Sequence, residues 1–307
     1  MPNETPVCEK KYLLNNGQYM PAVGLGTWQG RRGAADEQAV MSAASRSSSA
    51  KPCGRAASRG RPSPSSPSSG AGGTTTPAAA LERSLETMRL DYVDVLLMHW
   101  PCASTPADGQ SLGRDAAPTF VDTWRMMQGL VGPRCRAIGV SNLSQRNLEV
   151  LLRSAETVPA VNQVEVHALC PSLKLVPFCQ DKGIHVMGWG SLGGGDAPPM
   201  SQILTHEVFE ELARARGCSV AVVHLSWAVQ RGITVIPRSS SHSRIDDNIR
   251  LITLTADEMS IMNAAQDTIG KHRSTDQLVK QVDGRKTIFG WTLQDFGWED
   301  ECGNWLT

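Results

Sequence analysis

An α/β fold of repeated strand–helix units, arranged as a barrel rather than a bundle, is what this sequence predicts, and three observations lead to it. From Leu90 onward, short apolar runs alternate with amphipathic runs of helical length, the pattern of βα units around a parallel sheet. The apolar runs are about five residues long and continuously apolar, as strands buried on both faces are. The chain has 307 residues, enough for one domain with a large core, and a single α/β barrel commonly occupies about 250.

Taken in order, the strands are predicted at Val93–Met98, Ala137–Val140, Ala160–Val164, His185–Gly188 and Thr234–Ile236. Between and after them the helical period predicts helices at Phe120–Leu130, Gln145–Ser154, Leu173–Lys182, His206–Arg216, Val220–Gln230, Ser243–Leu251 and Ala256–Gln266. Before Leu90 the text changes. Ser45–Ala80 is rich in Ser, Pro, Gly and Ala with almost no large apolar residue. Such a segment buries too little surface to offset its ordering entropy, so it is predicted to lack order. A structureless stretch of that length inside a compact domain is unusual, which suggests that something belonging there is missing.

Composition narrows the functional classes. Lys+Arg and Asp+Glu both total 30, a formal net charge of zero, so no overall field favours nucleic acid, an anionic membrane or a polyanionic partner. Any recognition of phosphate has to be local. The eight cysteines are scattered, with no C-x-x-C pair of the kind that holds zinc or runs redox chemistry, and the expectation is free thiols and no metal. No apolar signal core opens the chain and no stretch reaches the roughly 18 apolar residues of a membrane span, so the setting expected is cytoplasmic.

Five runs carry chemistry. Val23-Gly24-Leu25-Gly26-Thr27-Trp28 is a short strand ending in small residues and an aromatic; glycine there lets a cofactor, or another stretch of backbone, come close. Leu90–Pro101 is an apolar strand that delivers His99 and Trp100 at its C-terminal end, where barrels of this kind gather their chemistry. Ala137–Asn142 ends in Ser141 and Asn142, which can cap the next helix or hydrogen-bond a carboxamide. Pro159–His167 places Asn162 and Gln163 on a buried strand, where each amide needs a partner. Ile236–Asn248 puts Arg238, Ser239 and Arg244 around the start of a helix, either a solvated basic loop or an anion site.

In this order and spacing, the runs GLGTW, DYVDVLLMHWP, AIGVSN, VNQVEVH and VIPRS resemble the aldo-keto reductase family, with closest flavour to fungal aldose-reductase-like and glycerol-dehydrogenase-like members. The resemblance covers about residues 10–42 and 80–307. It implies a (β/α)8 TIM barrel occupying residues 1–307 as one domain, and reduction of aldehydes or ketones to alcohols with NADP(H). It implies a monomer acting on a small-molecule carbonyl or alcohol, with no nucleic-acid or membrane partner. By the same likeness Gly26, Thr27 and Trp28 border the nicotinamide and substrate pocket, His99 is the active-site histidine and Trp100 lines the pocket. Ser141, Asn142 and Gln163 match the residues that hold the nicotinamide amide. Trp189 stands where the family usually stacks a Tyr on that ring, and Leu192 matches in the loop beyond, although Gly190 and Gly194 replace hydroxyl residues that contact the pyrophosphate. Arg238, Ser239 and Arg244 match the clamp on the 2′-phosphate, and Asn248 the adenine contact. Residues 270–307, with Trp291, Phe296, Trp298 and Trp305, resemble the tail that covers the pocket.

The resemblance fails at one place. The family's proton donor is a Tyr, supported by a Lys and an Asp, in D-x-A-x-x-Y-G and T-S-K-L-W runs at the second and third βα units. Neither run occurs here, and Tyr is found only at 12, 19 and 92. Codons TCC-AAG-CTC-TGG-GG spell Ser-Lys-Leu-Trp, and shifted by one base they spell Pro-Ser-Ser-Gly, the residues Pro67–Gly70. Residues 45–80 thus read as a disordered insertion or an out-of-frame version of those units. The expected barrel is incomplete, with strands 2 and 3 replaced. Two alternatives to an active reductase stand beside it: an inactive NADP(H)-binding module, and the product of a flawed gene model.

Overall fold

The computed structural model describes residues 6–27, 56–58, 76–103, 112–193, 202–302 and 304–306. In chain order they form β1 (Lys11–Leu13), β2 (Tyr19–Pro21), β3 (Ala56–Ser58), α1 (Pro77–Met88), β4 (Val95–Met98), α2 (Phe120–Gln128), β5 (Ile138–Ser141), α3 (Gln145–Leu152) and β6 (Val161–Glu165). There follow α4 (Leu175–Asp181), β7 (His185–Trp189), α5 (Glu207–Arg216), α6 (Val220–Gln230), β8 (Thr234–Val235), α7 (His242–Asn248) and α8 (Ala256–Thr268). The chain ends in β9 (Lys280–Val282), β10 (Arg285–Ile288), β11 (Trp291–Thr292) and α9 (Leu293–Phe296). Every strand and helix predicted after Leu90 is present, with ends shifted by no more than three residues.

The parallel strands stand in the order β3-β4-β5-β6-β7-β8, each beside its predecessor in sequence. This is the α/β arrangement that alternating apolar strands and amphipathic helices dictate. Contacts along the chain group into two compact units, one of Met1–Gly54, Val164–Ser172 and Val186–Gln277, the other of Arg55–Gln163, Leu173–His185 and Leu278–Thr307. Within the region 45–80, Ala56–Ser58 pairs in parallel with Val95–Leu97 and Pro77–Ala80 opens α1. The remainder of that region lies outside the described residues.

In the second unit, β4 and β5 are buried along their whole length, and Leu96 pairs with Ile138, Leu97 with Gly139. Gly139 is required by close approach. A Cβ there would lie 2.6 Å from Leu97 Cδ2 and 2.7 Å from the Val161 carbonyl oxygen, which is backbone and cannot turn aside. Gly139→Ala is therefore expected to cost about 1–3 kcal/mol, seen as a melting temperature lowered by a few degrees. A wild-type melting curve from that variant would refute the packing read here. Helix α2 starts at a capping box, Thr119 Oγ1 accepting from Asp122 N while Asp122 Oδ2 accepts from Thr119 N. The C-terminal strands β9, β10 and β11 make an antiparallel sheet, turned at Asp283-Gly284, both with positive φ.

In the first unit, α6 buries eight of its eleven residues, Val222 through Val229, which explains its nearly unbroken apolar sequence. β7 pairs in parallel with β8, Met187 to Thr234 and Gly188 to Val235. Val23 bridges to Val235 on the same strand. The hairpin of β1 and β2 is antiparallel. No helix among the described residues is long and apolar enough to cross a membrane.

Candidate functional site

Three strand tips of the second unit meet in one hydrogen-bond network. Ser141 Oγ donates to the Gln163 carbonyl at 2.7 Å, and Asn142 N donates to the same oxygen at 2.9 Å. Asn142 adopts φ 63, a left-handed conformation that Asn tolerates better than most residues. From there its Nδ2 donates to the His99 carbonyl at 2.9 Å and to Ser141 Oγ at 3.1 Å. The tips of β4, β5 and β6 are thus fixed to one another through Ser141, Asn142, Gln163 and the backbone of His99. Of the two readings open for Ser141 and Asn142, helix capping is taken by another residue: Ser144 caps α3, its Oγ accepting from Asn147 N. Asn162, the other amide on β6, donates to the Leu143 carbonyl at 2.9 Å.

Next to this network Trp100 packs among aromatic rings of the C-terminal segment. Phe289 and Phe296 meet it edge-on with centroids 5.2 and 5.9 Å away, and Trp298 lies at 6.1 Å. Phe296 and Trp298 stack on each other at 4.5 Å. The segment is anchored by a residue that sequence reasoning missed. Fully buried Asn147 donates through Nδ2 to the carbonyls of Asp295 and Phe296, both at 3.1 Å. A polar residue in the first turn of an amphipathic helix reads as surface, so nothing in the sequence marked it.

In the first unit, Gly26 donates its N–H to the Pro237 carbonyl at 3.0 Å. A Cβ on Gly26 would sit 2.5 Å from the Ile236 carbonyl oxygen, so here glycine admits a neighbouring stretch of the chain itself. That approach sets Gly26 and Thr27 alongside the start of the Arg238 turn. Within the turn Arg244 Nε donates to Ser239 Oγ at 3.3 Å, and Ser239 Oγ also accepts from Ser241 N at 3.1 Å. Arg238 and Arg244 are exposed, while Asn248 at the end of α7 is buried. Trp189 ends β7 half-buried, Gly190 follows with φ 64, and Leu192 is half-buried in the turn. Trp28 and Gly194 lie outside the described residues.

None of the three tyrosines is disposed as a proton donor. Tyr12 Oη donates to the Val229 carbonyl at 2.6 Å, and burial, with Cys8 nearby, pushes its pKa up rather than toward neutrality. Tyr19 is 56 % exposed on the hairpin, and Tyr92 lies under the Arg136 guanidinium, 3.7 Å from its ring centroid.

A last cluster in the first unit gathers Glu165, His167 and Ser274. Burial raises the Glu165 carboxyl's pKa, yet the His167 ring and the Ser274 N–H outweigh it and leave that carboxyl below its ordinary value. Glu165 Oε1 lies 3.0 Å from His167 Nε2 and accepts from Ser274 N at 2.6 Å.

The aldo/keto reductase family model matches residues 66–267. The chain belongs to the aldo/keto reductase family. It is 33% identical over 282 residues to a D-galacturonate reductase of Hypocrea jecorina, covering 82% of this chain and 89% of that one. It is 37% identical over 214 residues to a glycerol 2-dehydrogenase (NADP(+)) of Saccharomyces cerevisiae, covering 64% and 67%. Among solved structures, an aldo-keto reductase of Bombyx mori in complex with NADP superposes with a TM-score of 0.69 at 25% identity, covering 84% of this chain and 93% of that one. Membership in this family makes the (β/α)8 barrel the parent fold, and oxidoreduction the parent chemistry. Residues 45–80 of this aldo/keto reductase are rich in Ser, Pro, Gly and Ala.

Proposed function

We propose that this chain binds NADP(H) and acts through it on small aldehydes or ketones, slowly, because it has lost the family's proton donor. When bound, the cofactor supplies or accepts the hydride. Arg238, Ser239 and Arg244 are assigned to the 2′-phosphate, Asn248 to the adenine, and Ser141, Asn142 and Gln163 to the carboxamide, with Trp189 against the ring. Gly26, Thr27 and Leu192 are assigned to the remainder and Trp100 to the substrate, as is Trp28, which lies outside the described residues.

The observation that carries the reading is the network at the tips of β4, β5 and β6, where the Ser141 and Asn142 side chains are oriented by each other and by the backbone carbonyls of Gln163 and His99. Polar groups so fixed present a ligand with a set of bonds already oriented, which lowers the entropy of binding. The Arg238 turn supports it independently. Two exposed guanidinium groups and a serine hydroxyl share a short segment, and Ser239 already orients Arg244. Guanidinium forks suit a phosphate dianion, so they also favour NADP(H) over NAD(H). A monomer in the cytoplasm is the state inferred for this activity.

The test is a pair of titrations followed by tryptophan fluorescence, the protein having eight such residues. Arg244→Ala should weaken NADPH binding about 10- to 100-fold, the value of one charged hydrogen bond of roughly 1.5–3 kcal/mol. NADH binding should stay within about twofold. Equal losses for both cofactors, or no NADPH binding by the parent chain, would remove the reading. The second reading, an inactive NADP(H)-binding module, draws on the disposition of Tyr12, Tyr19 and Tyr92 and gains if NADPH binds but no aldehyde is consumed.

A further inference from the structure

The geometry points to a divalent transition-metal site of the zinc class formed by Glu165, His167 and His272. Glu165 closes β6, His167 follows two residues later, and His272 lies beyond α8; one donor atom from each falls within 4.8 Å of the other two. Among the described residues this is the one group of three or more such side chains that close together. The His167 and His272 rings have centroids 5.6 Å apart at 39°. Neighbouring ligands of a tetrahedral zinc, with bonds of about 2.0–2.2 Å, sit roughly 3.3 Å apart. The three donor atoms, within 4.8 Å of one another, have to close by an ångström or more to reach that spacing, a movement that χ rotations of the three side chains supply.

A hydrogen-bonded Glu–His pair alone does not account for the cluster. Glu165 Oε2, His167 Nδ1 and His272 Nε2 are all buried and have no hydrogen-bond partner among the described residues. Glu165 is 7 % exposed and His167 is 0 %. Three orphaned polar atoms on three adjoining side chains is a concentration that buried sites avoid unless something binds them. Two imidazoles and one carboxylate select zinc or a neighbouring transition ion over calcium or magnesium, which prefer all-oxygen sets. The backbone holds the set together. Ser274 N donates to Glu165 Oε1, His272 N donates to the Leu169 carbonyl at 3.1 Å, and Ser274 Oγ donates to the Gly193 carbonyl at 3.1 Å. The ion would tie the end of β6 to a segment more than a hundred residues away in sequence.

The full chain, stripped with a chelator and kept reduced, is titrated with zinc alone by calorimetry. One equivalent should bind with micromolar or tighter affinity and raise the melting temperature. His272→Gln should weaken that equivalent at least about 100-fold, since even outer partners of a metal ligand contribute 10- to 100-fold, with the far-ultraviolet circular dichroism unchanged. His242→Gln, at an exposed histidine, should bind as the parent does. Should the Gln variant misfold, cobalt added to the parent decides instead, because a tetrahedral nitrogen–oxygen set gives intense visible bands at one equivalent. No stoichiometric binding by the parent, no such bands, or undiminished affinity in a folded His272→Gln chain would overturn the assignment.

Discussion

Given NADPH and a small aldehyde, the purified chain should turn over about 10²–10⁴ times more slowly than a family member with an intact proton donor. A positioned general acid contributes a factor of that size, and median enzyme turnover is about 10 s⁻¹, so rates on the order of 10⁻¹ to 10⁻³ s⁻¹ are expected. The reason lies in the side chains. A donor has to hold a proton it can release near the working pH, which for a phenol requires a pKa brought down by a nearby cation. Tyr12 is shifted the opposite way and spends its hydroxyl on Val229. Tyr19 is on an exposed hairpin, and Tyr92 has its cation on the ring face rather than at the hydroxyl. His99, whose carbonyl anchors Asn142, is the remaining candidate for a weak donor. Stopped-flow absorbance of NADPH, with His99→Phe beside the parent, tests both parts. A parent rate near 10 s⁻¹ would show that a proton donor has been overlooked, and an unchanged residual rate in His99→Phe would show that the histidine donates nothing.

The parts of the fold that were legible are those where local and tertiary preferences agree. Val95–Met98 is buried along its whole length, so an unbroken apolar run found it; Val161–Glu165, equally buried, carries Asn162 and Gln163 and was found from its valines and its place in the strand–helix alternation. Helix α1 escaped, although Thr76 at its N-cap and Pro77 in its first turn are ordinary helix-start signals. They stand at the end of a stretch of small residues whose composition reads as disorder. The sheet of β9, β10 and β11 was passed over too. Its Asp283-Gly284 turn, with both residues at positive φ, is a strong hairpin signal, but the resemblance had already made that segment a covering tail. At the site, strand ends were legible because polar residues there interrupt apolar text. Which polar residue caps and which binds was not, since Ser141, Asn142 and Ser144 differ only in where the chain turns. Glu165, His167 and His272 could not be joined from sequence at all, because their proximity depends on the return of the chain after α8.

Lowering the pH from about 7 to about 4.5 should remove a large part of the stability, on the order of 4–5 kcal/mol, and two histidines are responsible. Burial pushes His224 down to about 3, outweighing the help of the Ile203 carbonyl, and pushes His185 down to about 4. In the unfolded chain both return to about 6.5. Between those limits the unfolded state binds two protons that the folded state refuses. Stability therefore rises with pH through this window and falls as acid is added, with a limiting slope of about 2.7 kcal/mol per pH unit, two protons at 1.36 each. Above about pH 7 both groups are neutral in either state and the slope disappears. Glu165, held below its usual value, contributes in the same direction only at lower pH, where the unfolded carboxyl begins to protonate. Against a total stability of typically 5–15 kcal/mol, acid unfolding should begin well above the range where carboxylates titrate. Urea midpoints at pH 7.5, 6.0 and 5.0 measure the slope, and His224→Gln, which keeps a donor for Ile203 but cannot take up the proton, should halve it. A midpoint independent of pH across that interval would mean that these rings are solvated in the folded chain, and that the core around α6 and β7 is not packed as described.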